Sequence, residues 1–572
     1  MKNSEIARVF HDMADLLELK NDNIFKIRAY RRAAQVIEHL PKEMAVMLEQ
    51  GENFQKIPGV GEAIASKSTE LITTGKLKAY EDLKAKFPEG ITRLLEVPGV
   101  GPKTAYRLAT ELKISSTEQL EQAIMEEKVA HLFRMGDKTA QNILRQIQAT
   151  RRKDQRIPIG QALPIVEDVL SILRVLPGVK NMTPAGSLRR FRETVGDIDI
   201  MGTADNPEMV INKFVALPLV KEVLARGPTK ASVILPPGLQ ADLRMVEHDE
   251  FGSLLQYFTG SREHNIALRT KYQKHGLKLS EYGITDVVKN KLDKFATEEA
   301  FYRRLGMQYI PPEIREDQGE IELAEKHAIP RLVDLKDIKG DFHAHSKWSD
   351  GNHSIEEMAI AAKDEGYKYI AITDHSGGLG IAHGLTQERL KKQIEEIRNL
   401  NRRLKGFRIL CGMEVDIRAD GSIDMPDHML AELDIVVAAV HSSFSQSGER
   451  ITKRILKAIE NPHVDIIAHP TSRLIGEREP TAVDMEAVFK AAAQHKKALE
   501  INAMPSRLDL KDIHIHRAKE QGVMLAIGTD AHIAGQLKLM RFGIGIARRG
   551  WCQPQHILNC MSVEKVLAFF KR

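Results

Sequence analysis

From Lys339 to the C-terminus, short apolar runs alternate with helical patterns: GDFHAH, YKYIAITDH, FRILCGMEV, LDIVVAAVH, VDIIAHP, ALEIN and VMLAIGTDAH. Strands apolar on both faces must be covered on both faces, and strand–helix alternation does this with a parallel sheet. Seven such strands point to a barrel.

His and acidic residues cluster at the ends of these runs. They are His343 and His345, Asp350, His375, Glu414, His441, His469, and Asp530 with His532. One histidine at a strand end is ordinarily a structural hydrogen-bonder. Nine ligand-type residues at the ends of six of these seven strands are different, because a parallel barrel brings those ends to one face. Imidazole with carboxylate suits Mn²⁺, Zn²⁺ or iron. Nine ligands exceed what one ion needs, so the pattern predicts two or three ions poised to activate water against phosphorus.

The rest of the chain has other textures. Residues 1 to about 150 show apolar residues every three to four positions, as in IARVFHDMADLLEL and YRRAAQVIEHL, and read as helical. Pro-Gly-Val-Gly occurs at 58–61 and again at 98–101, with a weaker echo in FRMGDKTAQNIL from Phe133. Gly59, Val60 and Gly61, and likewise Gly99, Val100 and Gly101, form turns that can aim backbone N–H groups at a phosphate without reading a base. The alternative is a glycine C-cap or a helix-hairpin turn used only for packing.

From about residue 157 short β-branched runs alternate with helical patterns, as in a mixed α/β domain. GSLRRFRETVGDIDI, from Gly186 to Ile200, places Asp197 and Asp199 one residue apart in a strand, hence on one face. Two adjacent carboxylates call for a hard divalent cation, Mg²⁺ or Mn²⁺. Asp242 in LQADLRMV is the candidate third acid, and three acids can hold two ions against a phosphate. Residues 262–315 form a further small α/β unit, and PPEIREDQGEIELAEKH reads as an exposed connection.

Bulk properties narrow the setting. A net charge of +5 on 572 residues excludes a uniformly basic coat but allows local patches. Cys411, Cys552 and Cys560 make no disulfide framework or zinc spacing, which favours a reducing cytosol. MKNSEIARVF lacks a signal-peptide core, and no apolar run reaches the ~18 residues of a membrane span. The expectation is a soluble intracellular protein.

GSLRRFRETVGDIDI resembles the nucleotidyltransferase signature of family X DNA polymerases, the DNA polymerase beta group. YFTGSREHNIALR at 257–269, LKLSEYGI at 277–284, KIRAYRRAAQVI and IPGVGEAIASK are similar to other parts of that family. The glycine turns resemble helix-hairpin-helix motifs. The strand-end ligands resemble the polymerase and histidinol phosphatase (PHP) domain, with all nine ligand positions filled.

The resemblance implies a multidomain α/β protein. Its expected parts are a helical N-terminal domain at 1–82, a helical fingers-type domain at 83–150, a nucleotidyltransferase palm at 151–258 and a thumb at 259–315. A linker at 316–336 and a distorted (β/α)7 PHP barrel at 337–572 complete it. It implies two ions on Asp197, Asp199 and Asp242, with Asp242 activating a primer 3′-hydroxyl. Arg156, Gly186, Ser187, Arg190, Gly196 and Gly260 would hold a deoxynucleoside triphosphate. Tyr257 and Phe258 would line its sugar, and Asn265 and Arg269 would face the base and template. Lys67 aligns with a Schiff-base lysine that removes a 5′-sugar phosphate. Ala63, Ala79 and Phe25 replace its expected lysine and histidine companions, and Gln240 replaces an arginine expected near Asp242.

The activities implied are gap-filling DNA synthesis in base excision repair and a manganese- or zinc-dependent 3′–5′ exonuclease, with abasic-site cleavage as a further activity of such domains. The partners implied are gapped, nicked or primer–template DNA, bound by a monomer away from membranes. Two other readings are a DNA binder whose barrel is a small-molecule phosphatase, and a DNA-binding scaffold with vestigial sites.

Overall fold

The computed structural model describes the chain apart from residues 2, 21, 39, 41–42, 89, 96, 98–99, 101, 127, 130–139, 141–142, 145–146, 148–155, 379–381 and 571–572. The chain divides into two compact units, Met1–Gln155 and Arg156–Arg572.

The first unit is helical. Helices Asn3–Leu19 and Ile24–Glu38 bury stripes at helical spacing, among them Phe10, Met13 and Leu17, and Ile27, Tyr30, Ala34 and Ile37. The rings of Phe10 and Tyr30 lie 5.9 Å apart. The first Pro-Gly-Val-Gly turn precedes helix Glu62–Thr74. Gly59 has φ +92°, a conformation that disfavours a Cβ, and Val60 is buried and donates its N–H to the Ile57 carbonyl at 3.0 Å. The second turn repeats that bond, with Val100 buried and donating to Val97 at 3.0 Å before helix Pro102–Glu111. Gly99, Gly101 and most of the third echo lie outside the described residues.

The second unit begins with a five-stranded sheet in the order Val179–Pro184, Asp197–Ala204, Leu239–Met245, Lys230–Leu235, Glu222–Arg226. The pair Asp197–Ala204 and Leu239–Met245 is parallel, and the other pairs are antiparallel. Helix Phe251–Thr259 leads to helix Arg262–Gln273, a three-stranded antiparallel sheet and helix Glu298–Arg304.

Seven parallel strands then follow in sequence order: Gly340–Asp341, Tyr369–Ile372, Arg408–Asp416, Ile435–Ala439, Ile466–Ile467, Ala498–Asn502 and Leu525–Gly528. The ring is nearly closed by a parallel bridge between Ala344 and Ala531, with Asp530 donating to the His343 carbonyl and His345 to that of Ala531. The barrel expected from the alternation is therefore present. Alternate strand residues explain it. Tyr369, Leu410, Val437 and Ala526 belong to an interior cluster, whereas Ile370, Ile409, Val436 and Ile527 pack outward against helices.

The expected exposed connection at 316–336 is only partly exposed. Helix Glu320–Glu325 buries Ile321 and Ala324, and Glu320 is fully buried. Its charge is compensated by His264 and by the backbone N–H groups of Asp317 and Gln318. Composition misled here because the partner is 56 residues away in sequence. One apolar core runs from Ile198 and Leu243 of the five-stranded sheet into the outer shell of the barrel.

Candidate active sites

The five-stranded sheet assembles three acids from two strands. Asp199 is in direct register with Asp242 and Asp197 with Gln240. Ile198, Ile200, Ala241 and Leu243 are fully buried on the opposite face, so period-two alternation leaves Asp197, Asp199 and Asp242 half-buried on the other. Gln240 donates its Nε2 protons to both Asp242 oxygens at 3.1 Å, orienting the carboxylate where the resemblance expected an arginine. Gly186 has φ +60°, and a Cβ there would lie 2.9 Å from Asp199 Oδ2. That glycine lets the Gly186–Arg189 turn, with Ser187, sit against the acids.

The other nucleotide candidates lie on neighbouring elements. Arg156 donates from Nε to Thr194 Oγ1 at 2.9 Å, on the two-residue strand that leads through buried Gly196 to Asp197. Arg190 donates from Nη1 to the Thr259 carbonyl and from Nε to Glu316 Oε1 at 3.2 Å, beside Gly260. Tyr257 and Phe258 meet edge-on at 5.3 Å, and Arg244 lies 4.6 Å from the Phe258 ring. Asn265 is held by Gln256, which donates to its Oδ1 at 2.8 Å, and donates to the Tyr257 carbonyl at 2.7 Å. Arg269 donates to the Asn265 carbonyl and lies 5.9 Å from the Tyr257 ring. In the helical unit, Lys67 donates its Nζ to the Ala63 carbonyl at 3.3 Å.

The barrel gathers the second set. Ligand atoms converge in three overlapping groups: His345, Asp350, His375 and His532; His343, His345 and Asp530; and His375, Glu414 and His441. His469 joins through Nε2, 3.2 Å from Glu414 Oε1. Glu414 is the hub, with Oε2 2.9 Å from His375 Nδ1 and 3.3 Å from His343 Nε2. His345 is stacked between His375 and His532 at 4.5 and 4.3 Å.

Electrostatics favour the ligating forms at three of these positions. Burial raises the Glu414 carboxyl, but His375, His343 and His441 hold it well below the usual carboxylate range. Burial and neighbouring His375 push His345 down to about 3, and burial and Arg507 push His469 down to about 4, leaving both as neutral imidazoles. Buried nitrogens His343 Nε2, His345 Nδ1 and Nε2, His441 Nδ1 and His469 Nδ1 have no hydrogen-bond partner. Orphaned imidazole nitrogens beside buried carboxylates fit divalent cations.

Several residues were not anticipated. Glu500 is buried and accepts from His343 Nδ1 at 2.7 Å and from the His469 backbone at 2.7 Å. Asp416 lies 3.6 Å from His441 Nδ1, and Arg507 lies 3.5 Å from Asp530. Asp374 accepts from Ser346, Ser349 and Gln393 beneath the cluster. The available signal was period two: Asp416 follows Glu414, and Glu500 precedes Asn502, on inward-facing positions.

Comparison with known proteins agrees with this fold. Residues 254–316 match the DNA polymerase beta thumb, 1–77 a helix-hairpin-helix domain, 91–149 a SAM-like helix-hairpin-helix tandem and 341–504 a PHP domain. The DNA polymerase/3′-5′ exonuclease PolX of Bacillus subtilis (strain 168) is 42% identical over 574 residues, covering 100% of both chains. The chain belongs to the family X DNA polymerase/3′–5′ exonucleases. A part of the chain also resembles smaller proteins. A probable phosphatase of Thermoanaerobacter sp. (strain X514) is 33% identical over 243 residues, 40% of this chain and 94% of that protein. One of Caldanaerobacter subterraneus subsp. tengcongensis is 35% identical over 243 residues, 40% of this chain and 90% of that protein. Among the described residues, no helix is long and apolar enough to cross a membrane.

Proposed function

We propose that this chain extends primer 3′ ends at the Asp197–Asp199–Asp242 face and trims 3′ ends in the barrel, filling short gaps during DNA repair. The observation that carries the reading is the pairing of Asp199 with Asp242 on a half-exposed face, within one compact unit that also holds the nine-residue cluster.

Asp197, Asp199 and Asp242 would hold two Mg²⁺ or Mn²⁺ ions, and the barrel cluster two or three Mn²⁺ or Zn²⁺ ions. When bound, such ions polarise a phosphoryl oxygen and offset charge developing at phosphorus. Asp242, oriented by Gln240, accepts the proton of the primer 3′-hydroxyl. Ser187, Arg156 and Arg190 grip the triphosphate, the two guanidiniums offering bidentate geometry. Gly186, Gly196 and Gly260 leave room for it. Tyr257 and Phe258 pack against the sugar and exclude a ribose 2′-hydroxyl, while Asn265 and Arg269 face the base and template. The helical unit grips DNA backbone through its two glycine turns. In the barrel, Glu500 and Asp416 steady the imidazoles, and Arg507 supplies positive charge beside the cluster.

The test is an assay on gapped DNA scored for both extension and shortening. Asp197→Asn with Asp199→Asn removes extension and spares shortening; His343→Ala with His345→Ala does the reverse. Loss of both activities in either folded variant would refute separate sites. The two phosphatase relatives favour a second reading, in which the barrel hydrolyses a small phosphomonoester. Turnover of histidinol phosphate exceeding that of primer 3′ ends would favour it.

A further inference from the structure

The loop between the triphosphate residues and the catalytic acids is built onto the barrel. It runs from Arg190 to Glu193 and is held at several points. Arg549, at the end of barrel helix Met540–Arg549, is buried and donates from Nη1 to the Arg190 carbonyl at 2.7 Å. The same Nη1 lies 3.0 Å from Glu316 Oε1, the oxygen that accepts from Arg190 Nε at 3.2 Å. On its other side Arg549 is anchored to Asp512 through Nε at 2.8 Å and Nη2 at 2.7 Å. Phe191, with φ +57°, lays its ring against Gly545 of that helix, where a Cβ would clash, and 5.9 Å from Phe542. Glu193 pairs with Arg473 of the barrel at 2.8 Å.

The consequence for Arg190 follows from counting donors. Arg190 commits Nε to Glu316 and one Nη1 proton to Thr259, and its remaining guanidinium protons can face a triphosphate. Glu316 is half-buried and sits among Arg190, Arg192 and Arg549. With Arg549 present, the carboxylate is shared. Without it, Glu316 would draw Arg190 inward, and the Arg190 backbone would lose its tether. We propose that Arg549 is a positioning residue for the nucleotide site: the barrel completes triphosphate binding by fixing the Arg190 backbone and by dividing Glu316 between two arginines.

This rests on the reading that Arg190 binds the triphosphate, and the experiment separates the two. Full-length protein is assayed for incorporation of one complementary deoxynucleoside triphosphate into single-nucleotide-gap DNA, with 3′ shortening measured on the same preparations. Arg549→Met is expected to raise the nucleotide KM roughly tenfold with kcat within about twofold, the pattern of lost binding rather than lost chemistry. Its shortening activity should be unchanged, and Arg549→Lys should recover part of the KM. An unchanged KM in Arg549→Met, with Arg190→Ala raising it, overturns the inference alone. An unchanged KM in Arg190→Ala overturns the nucleotide reading and the inference with it. Should Arg549→Met lose shortening activity through misfolding, Asp512→Asn, which removes the charged anchor at constant volume, decides in the same way: a raised KM supports the role and an unchanged KM overturns it.

Discussion

His343 donates from Nδ1 to Oε1 of Glu500 at 2.7 Å, across 157 residues of sequence and inside a fully buried pocket. The bond fixes the ring so that Nε2, which has no hydrogen-bond partner, points toward Glu414 and Asp530. A carboxylate behind a ligating imidazole sets its orientation and raises its basicity. Glu500→Gln keeps the volume and removes the charge. Metal affinity of the barrel is expected to fall about 10–100-fold, seen as a higher Mn²⁺ concentration for half-maximal 3′ shortening, with primer extension unaltered.

Gly186 approaches Asp199 closely in a left-handed conformation. Gly186→Ala adds about 1 kcal/mol of backbone cost and pushes Asp199 from its register with Asp242. Extension is expected to drop on the order of 10²-fold, the scale of a small misplacement at a reacting centre. The 3′ shortening rate of the same variant serves as the control; a parallel loss of both would show global damage instead.

Chelation should destabilise the barrel. Removing ions leaves the buried nitrogens His343 Nε2, His345 Nδ1 and Nε2, and His469 Nδ1 without partners. A ligand at about 100 times its dissociation constant stabilises by about 2.7 kcal/mol. Thermal unfolding with EDTA is therefore expected at lower temperature than with Mn²⁺, and the difference should shrink in His343→Ala with His345→Ala.

Acid should weaken the region around His264. Burial is the main cause that pushes this imidazole below its ordinary value of 6.5, with Arg315 and Arg190 adding to it and Glu320 opposing. The folded state thus binds fewer protons than the unfolded state below pH 6.5. Stability from this group is complete above that pH and is lost as pH falls toward the folded value. Denaturant midpoints at pH 7.5 and 5.5 check this: His264→Gln should lose less on acidification than the parent chain.

DNA binding should weaken with salt. If the Pro-Gly-Val-Gly motifs grip the DNA backbone as proposed, phosphate contacts dominate the affinity. Log affinity is expected to fall linearly with log salt, with a slope of roughly −0.9 per phosphate engaged. A salt-independent affinity would contradict backbone recognition.

The barrel and the clustering of its candidate ligand residues were legible because their signals are local. Apolar runs identified the strands, and strand-end position put the histidines on one face. Asp197 and Asp199 were legible for the same reason, since alternation alone puts them together. That Asp242 stands beside Asp199 depends on a parallel pairing between strands about 40 residues apart, which no local pattern encodes. Glu500 escaped notice because a buried strand acid that orients a ligand has the same chemistry as one that ligates. Glu316 and Glu320 looked like surface charges, because Arg549 and His264 reach them from remote segments.

From its sequence alone this protein has its strand and helix periods, the types of its candidate metal-ligating residues and the chemistry they suit, because those follow from side-chain identity and nearest-neighbour spacing. Only the tertiary structure decided which buried charges become partners and how the nucleotide loop is moored to the barrel. Burying a charge is tolerable only when an opposite charge or donor lies within hydrogen-bonding reach, and here that partner comes from the far end of the chain.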